Sequence, residues 1–220
     1  MAGAVFSAER KLAKAGETLA GDAPLEVRGR DHPWVSRGGI KLDHGLAYFG
    51  FDVSGAIALD VGSSTGGFTD VLLSRGATKV YAVDVGTNQL AWKLRSDPRV
   101  IVHEQTNARH LTSDIIPELV DIVVCDASFI SLAKVLDAAL DLARPSARLV
   151  ALVKPQFEAG RAEVGKGGVV RDPAIHQRVC DAAAAWITGR GWHVEGVTTS
   201  PITGPEGNVE FLLGATKEGS

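Results

Sequence analysis

Short apolar runs alternate along this chain with segments of helical periodicity, and that alternation restricts the fold more than any other feature. "AIALDVG" (56–62), "KVYAVDV" (79–85), "RVIVHE" (99–104), "LVDIVVCDAS" (119–128) and "ARLVALVKP" (147–155) each read as a fully buried parallel strand. Between them lie helix-like segments. One runs from Ile40 to Phe49 and stops at Gly50; the others are "GFTDVLLSRG", "NQLAWKLRSDP" closed by Pro98, and "SLAKVLDAALDLARP" with Pro145 beyond its end. Asp172-Pro173 places a capping carboxylate before a proline at the first helical position, opening an alanine-rich helix to about Gly189. "WHVEGVTTSP" and "NVEFLLGA" follow as two strands with no helix between them, so they are expected to pair antiparallel. The expectation is a doubly wound α/β fold: a seven-stranded, mostly parallel sheet with its last strand antiparallel, and ligands beyond the carboxyl ends of the strands.

At 220 residues the chain is long enough for one ample core with a small appendage. Residues 1–33 differ from the rest, being mixed in charge with one strand-like run, "PLEVRG", before Pro33; they read as an extension too small to bury a core alone. The two cysteines, Cys125 and Cys180, stand far apart with no Cys/His cluster near either, so they read as buried thiols without a disulfide or metal role. A formal charge of −3 is not that of a polycation, and a nucleic-acid partner would have to be met by local basic patches. The opening residues lack the apolar core of a signal peptide and no segment is apolar enough for a membrane helix, so a cytoplasmic protein is expected.

The stretch "ALDVGSSTGGFTDVLL" carries the ligand argument. Asp60 ends the first buried strand, and Gly62, Gly66 and Gly67 let the backbone bend and approach a ligand closely. Asp84, at the end of the second strand, stands where an acid takes the ribose hydroxyls of an adenosine cofactor. A dinucleotide is one alternative, yet Ser64 occupies the place of the second glycine in its fingerprint. S-adenosylmethionine has a positive sulfonium and an amino-acid tail but no pyrophosphate, which suits a loop led by an acid; a structural glycine turn is the remaining reading. The expected cofactor contacts are Asp60, Gly62, Ser63, Gly66, Gly67, Phe68, Asp84, Val85, Asn107 and Asp126, with Asn107 facing the adenine amino edge and no metal. "GRAEVGKGG" (160–168) imitates a phosphate loop, but Gly167 replaces its Ser/Thr; it reads instead as a mobile loop over the site.

Four ionisable residues fall at the same sheet edge: Lys41 in "RGGIKL", Asp126 after the fourth strand, Lys154 after the fifth and Glu210 near the start of the last. Singly, each has an ordinary surface reading. As a set they would shift one another's proton affinities, which is how a lysine becomes a usable base. The blocks "WVSRGGIKL", "LDVGSSTGGFTDVLL", "AVDVGTNQLAWKLRSDPRV", "TNAR", "DIVVCDASFISL", "LVKPQFEAGR", "VGKGGVVRDP" and "SPITGPEGNVEFLL" closely resemble the TlyA (haemolysin A) family of ribosomal RNA 2′-O-methyltransferases in the FtsJ-like group. That resemblance implies a Rossmann-like S-adenosylmethionine-dependent methyltransferase domain over 34–220. It also implies a catalytic tetrad of Lys41, Asp126, Lys154 and Glu210, with ribosomal RNA or ribosomal subunits as partner. The family usually begins with an S4-type RNA-binding domain, of which 1–33 would be a remnant. RNA is expected at Arg37, Lys93, Arg95, Arg161, Lys166 and Arg171, with Trp34, Trp92 or Phe157 as stacking faces; Trp92, at helical spacing, reads equally as core. A membrane-active haemolysin, or a small-molecule methyltransferase on the same fold, is the alternative.

Overall fold

The structure, a computed structural model, describes residues 4–12, 17–28 and 32–219. Parts of the N-terminal extension, at 1–3, 13–16 and 29–31, lie outside the described residues, as does 220. The described part of that extension forms a three-stranded antiparallel sheet of β1 (Ala4–Ser7), β2 (Arg10–Lys11) and β3 (Leu25–Arg28) in the order β2-β1-β3.

The remainder alternates as its periodicity requires. α1 (Gly38–Tyr48) leads into β4 (Ile57–Val61), α2 (Gly67–Ser74), β5 (Lys79–Val83), α3 (Trp92–Arg95), β6 (Val100–His103) and β7 (Val120–Cys125). Two short helices, α4 (Leu132–Val135) and α5 (Asp137–Asp141), precede β8 (Ala143–Val153) and α6 (Pro155–Glu158). α7 (Pro173–Gly189), β9 (Trp192–Thr199) and β10 (Phe211–Lys217) complete the chain. The main sheet has seven strands in the order β6-β5-β4-β7-β8-β10-β9. β4 to β8 run parallel, and β10 is inserted antiparallel between β8 and β9.

Three elements differ from the sequence reading. The helix expected over 88–98 is only one turn, because the Glu104 carboxylate accepts the backbone N–H groups of Asn88 and Gln89 and holds that stretch as a loop. The helix expected over 131–143 is broken into two. Pro145 does not follow it but lies inside β8, where the β7 pairing skips from Val120↔Ala143 to Ile122↔Arg148 and Ser146 takes a positive φ. Such a bulge spares proline the ladder bond it cannot donate.

The period of two in the strands divides the core. Leu59, Val61, Val123, Cys125, Leu149, Ala151 and Leu213 face α4, α5 and α7. Ala58, Ile122, Val124, Val150, Leu152 and Leu212 face Leu42 and Leu46 of α1 and Val71 and Leu72 of α2. Buried aliphatic side chains of this kind each contribute roughly 1.5–3 kcal/mol. At the other end of the sequence logic, Asp172 caps α7 by accepting the Ala174 N–H at 2.8 Å, with Pro173 in the first turn.

Candidate active site

Even-numbered residues at the ends of four strands point to the α1/α2 face, and the apolar ladder turns polar there. Ala58 is followed by Asp60, Val124 by Asp126 and Leu152 by Lys154, while Leu212 is preceded by Glu210. Phe211 pairs with Val153, so Glu210 stands across from the end of β8. α1 crosses the same face and brings Lys41 over it. The strand period and the antiparallel return of β10 therefore gather one cluster from four distant segments.

Within it the charges form two pairs. Lys41 Nζ lies 2.5 Å from Glu210 Oε2, and Lys154 Nζ lies 2.6 Å from Asp126 Oδ1. Lys154 also donates to Ser128 Oγ at 2.9 Å and to the Asp126 carbonyl at 3.2 Å, so three acceptors match its three ammonium hydrogens. Lys41, Lys154 and Glu210 are 7%, 6% and 1% exposed. Gly204 lets the Lys41–Glu210 pair close, since a Cβ there would stand 2.1 Å from Glu210 Oε1.

Two cavities meet at this cluster, sharing Gly62, Ser64, Asp126 and Ser128. The larger, about 470 Å³, is lined by Asp84, Val85, Asn107, Arg109, Ala127, Phe129 and Ile130 among others. The smaller, about 330 Å³, holds the tetrad with Arg37, Ser63, Thr65, Gly67, Phe68 and Thr203. Asp84 is fixed by the Ser64 and Gly86 N–H groups at 2.8 and 2.7 Å, one to each carboxylate oxygen. Asn107 Oδ1 accepts the Arg109 N–H at 3.1 Å on the wall of the larger cavity.

Asp60 and Gly66 line neither cavity. Gly66, at φ +96, packs on Leu90 and Leu94, and a Cβ there would come within 2.3 Å of Leu94. Asp60 is fully buried, with Oδ2 accepting from Thr69 Oγ1 at 2.7 Å and Oδ1 without a partner. Burial first, then the nearby Asp126 and Asp84 charges, push its carboxyl up to about 7 against the pull of Thr69.

The six cations expected to meet RNA separate into two groups. Lys93 pairs with Asp70 at 2.9 Å, and Arg95 with Glu104 at 2.5 Å. Arg37, Arg161, Lys166 and Arg171 are exposed and form no ion pair among the described residues. Arg37 reaches the Thr203 carbonyl at 3.3 Å on the rim of the smaller cavity. The glycine-rich loop is better tied than its composition suggests: buried Asn208 donates to the Gly168 carbonyl and accepts the Val170 N–H, and Arg178 pairs with Glu163.

Ser128, Phe129, Arg109 and Gln89 escape a reading by residue type. Phe129 is 90% exposed, holds φ +66 and lies tilted at 48° to the Phe157 ring, centroid to centroid 5.1 Å. Its left-handed backbone sets an aromatic at the wall of the larger cavity, and nothing in "DASFISL" announces that φ.

The strand order is that of a Rossmann-like α/β fold with two adjoining cavities at the carboxyl ends of its strands. The chain belongs to the FtsJ-like methyltransferase family, whose pattern matches residues 34–217. It is 54% identical over 187 residues to the 16S/23S rRNA (cytidine-2′-O)-methyltransferase TlyA of Mycobacterium tuberculosis, covering 85% of this chain and 70% of that one. Hemolysin A of Brachyspira hyodysenteriae is 40% identical over 213 residues, covering 96% and 88%. A solved structure of a candidate hemolysin from Streptococcus thermophilus superposes with a TM-score of 0.86 at 44% identity, covering 98% of this chain and 79% of that one. Among the described residues no helix is long and apolar enough to cross a membrane.

Proposed function

We propose that the protein transfers a methyl group from S-adenosylmethionine to a ribose 2′-hydroxyl of ribosomal RNA, with Lys41, Asp126, Lys154 and Glu210 as its catalytic residues. The observation that carries this reading is the double ion pair at the junction of the two cavities. The larger cavity fits the cofactor. Asp84 keeps its outward lone pairs for a ribose diol, while Val85, Ala127 and Ile130 offer apolar walls to a flat ring. Gly62, at φ +81, passes so close to Ala127 that a Cβ would meet its Cα at 2.9 Å, which draws the loop back from the space a ligand needs.

The sulfonium supplies a methyl already activated for displacement: a carbon–oxygen bond forms at the ribose as the sulfur–carbon bond breaks. The protein's task is to align the hydroxyl and manage one proton. Lys154 exchanges its N–H to Ser128 for the incoming hydroxyl oxygen and so turns one of that oxygen's lone pairs toward the methyl, and the released proton passes to the Asp126 carboxylate. Lys41, held by Glu210, stabilises charge developing on the oxygen. The smaller cavity receives the ribose, Phe129 gives its base a stacking face, and Arg37, Arg161, Lys166 and Arg171 meet phosphates. The relative's name specifies cytidine, and a cytidine ribose is the acceptor we propose here. The β1–β3 sheet is read as the end of an S4-type module that adds RNA contacts.

Lys154→Ala tests the assignment. Methyl transfer to ribosomal RNA is expected to fall by at least about 10²-fold, while calorimetry finds cofactor affinity within about threefold of wild type, because Lys154 lines only the smaller cavity. Retained turnover would remove the lysine from the mechanism.

A further inference from the structure

Trp92 is 78% exposed. Its exposure does not come from a loose chain, since every neighbour is fixed. Leu90 and Leu94, on the inner side of the turn, are 5% and 3% exposed and pack against the Gly66 position. The Ala91 N–H donates to the Thr65 carbonyl at 3.1 Å, and Thr65 lines the acceptor cavity. Lys93 pairs with Asp70 and Arg95 with Glu104, while Ser96 Oγ donates to the Trp92 carbonyl at 2.9 Å. A rigid one-turn helix thus holds an indole in water next to the strand–loop segment that walls the acceptor cavity. Two more large apolar side chains stand exposed in the adjoining cavity, Val85 at 70% and Phe129 at 90%.

We infer that the Trp92 indole is a stacking face for an unpaired base of the RNA substrate that neighbours the nucleotide being modified. The inference rests on the RNA-methylation reading above. A flat, preorganised indole suits any base, because stacking uses the π-face and not a hydrogen-bond edge. Lys93, with its side chain 56% exposed, puts a cation beside the same surface for the sugar–phosphate chain. Single-stranded RNA is the form that can offer such a base.

The test uses the full-length protein and a fluorescein-labelled single-stranded fragment of deproteinised ribosomal RNA, read by anisotropy. W92A and W92L should weaken binding about 5- to 50-fold, and W92F should stay within about threefold of wild type. Cofactor affinity by calorimetry should be unchanged in all three. RNA should also shield wild-type tryptophan emission from acrylamide, an effect lost in W92F. The inference is overturned if W92L binds like wild type, if wild type binds no RNA, or if the loss appears only on intact subunits, where a ribosomal protein would be the partner. Trp92-dependent RNA binding without methyl transfer by wild type would uphold the stacking face and refute the methylation reading instead.

Discussion

At the residue scale, Asp60 shows how a ligand loop is held from behind. Its carboxyl supports Thr69 in the first turn of α2, yet the group is fully buried and one oxygen has no protein partner. The folded protein therefore keeps the Asp60 proton to about pH 7, whereas the unfolded chain releases it near 3.8. Between those values the folded state binds more protons than the unfolded one, so stability falls as pH rises through the window and levels off above it. At ~1.4 kcal/mol per pH unit the effect is on the order of 4 kcal/mol. Asp60→Asn should remove it: urea unfolding at pH 5 and pH 8 should give nearly equal stability for the variant, set against a loss at pH 8 for wild type. Parallel pH profiles for the two proteins would show that burial does not control this group.

Among the elements, the five parallel strands of the main sheet were readable from their short apolar runs, whereas β1 and β2 were not, and the period of two then fixes which end residues share a face. Asp126, Lys154 and Glu210 follow from that rule once their strands are placed. What the chain does not display is decided by contacts distant in sequence. The loop before α3 exists because Glu104 captures its N–H groups, and Pro145 is tolerated because β8 bulges. The partner choice within the tetrad depends on the register of β10 against β8, and Ser128 joins it only through the turn after β7. The turn before β10 supplies a test at this scale. Gly204→Ala would put a methyl where Glu210 Oε1 lies and push the carboxylate off Lys41. Methyl transfer is expected to drop about 10²-fold with cofactor affinity kept. Normal turnover in a folded variant would mean that the Lys41–Glu210 contact is dispensable.

For the whole molecule, a chain of formal charge −3 meets a polyanion only if its cations are kept apart from its acids where the substrate lands. Lys93 and Arg95 each face a carboxylate, Asp70 and Glu104, whereas Arg37, on the rim of the smaller cavity, and Arg161, Lys166 and Arg171 form no ion pair among the described residues. Asn208 joins the glycine-rich loop to the segment carrying Glu210, so that loop and the Lys41–Glu210 pair share one support. The central claim is that a sugar hydroxyl, not a base atom, receives the methyl at the junction of the two cavities. Nuclease digestion and mass mapping of ribosomal RNA, after incubation with the protein and isotopically labelled S-adenosylmethionine, test it most directly. The account predicts label on a ribose 2′-oxygen at a defined cytidine, absent with Lys154→Ala; label on a base, or none on RNA from a cofactor-binding protein, would contradict it.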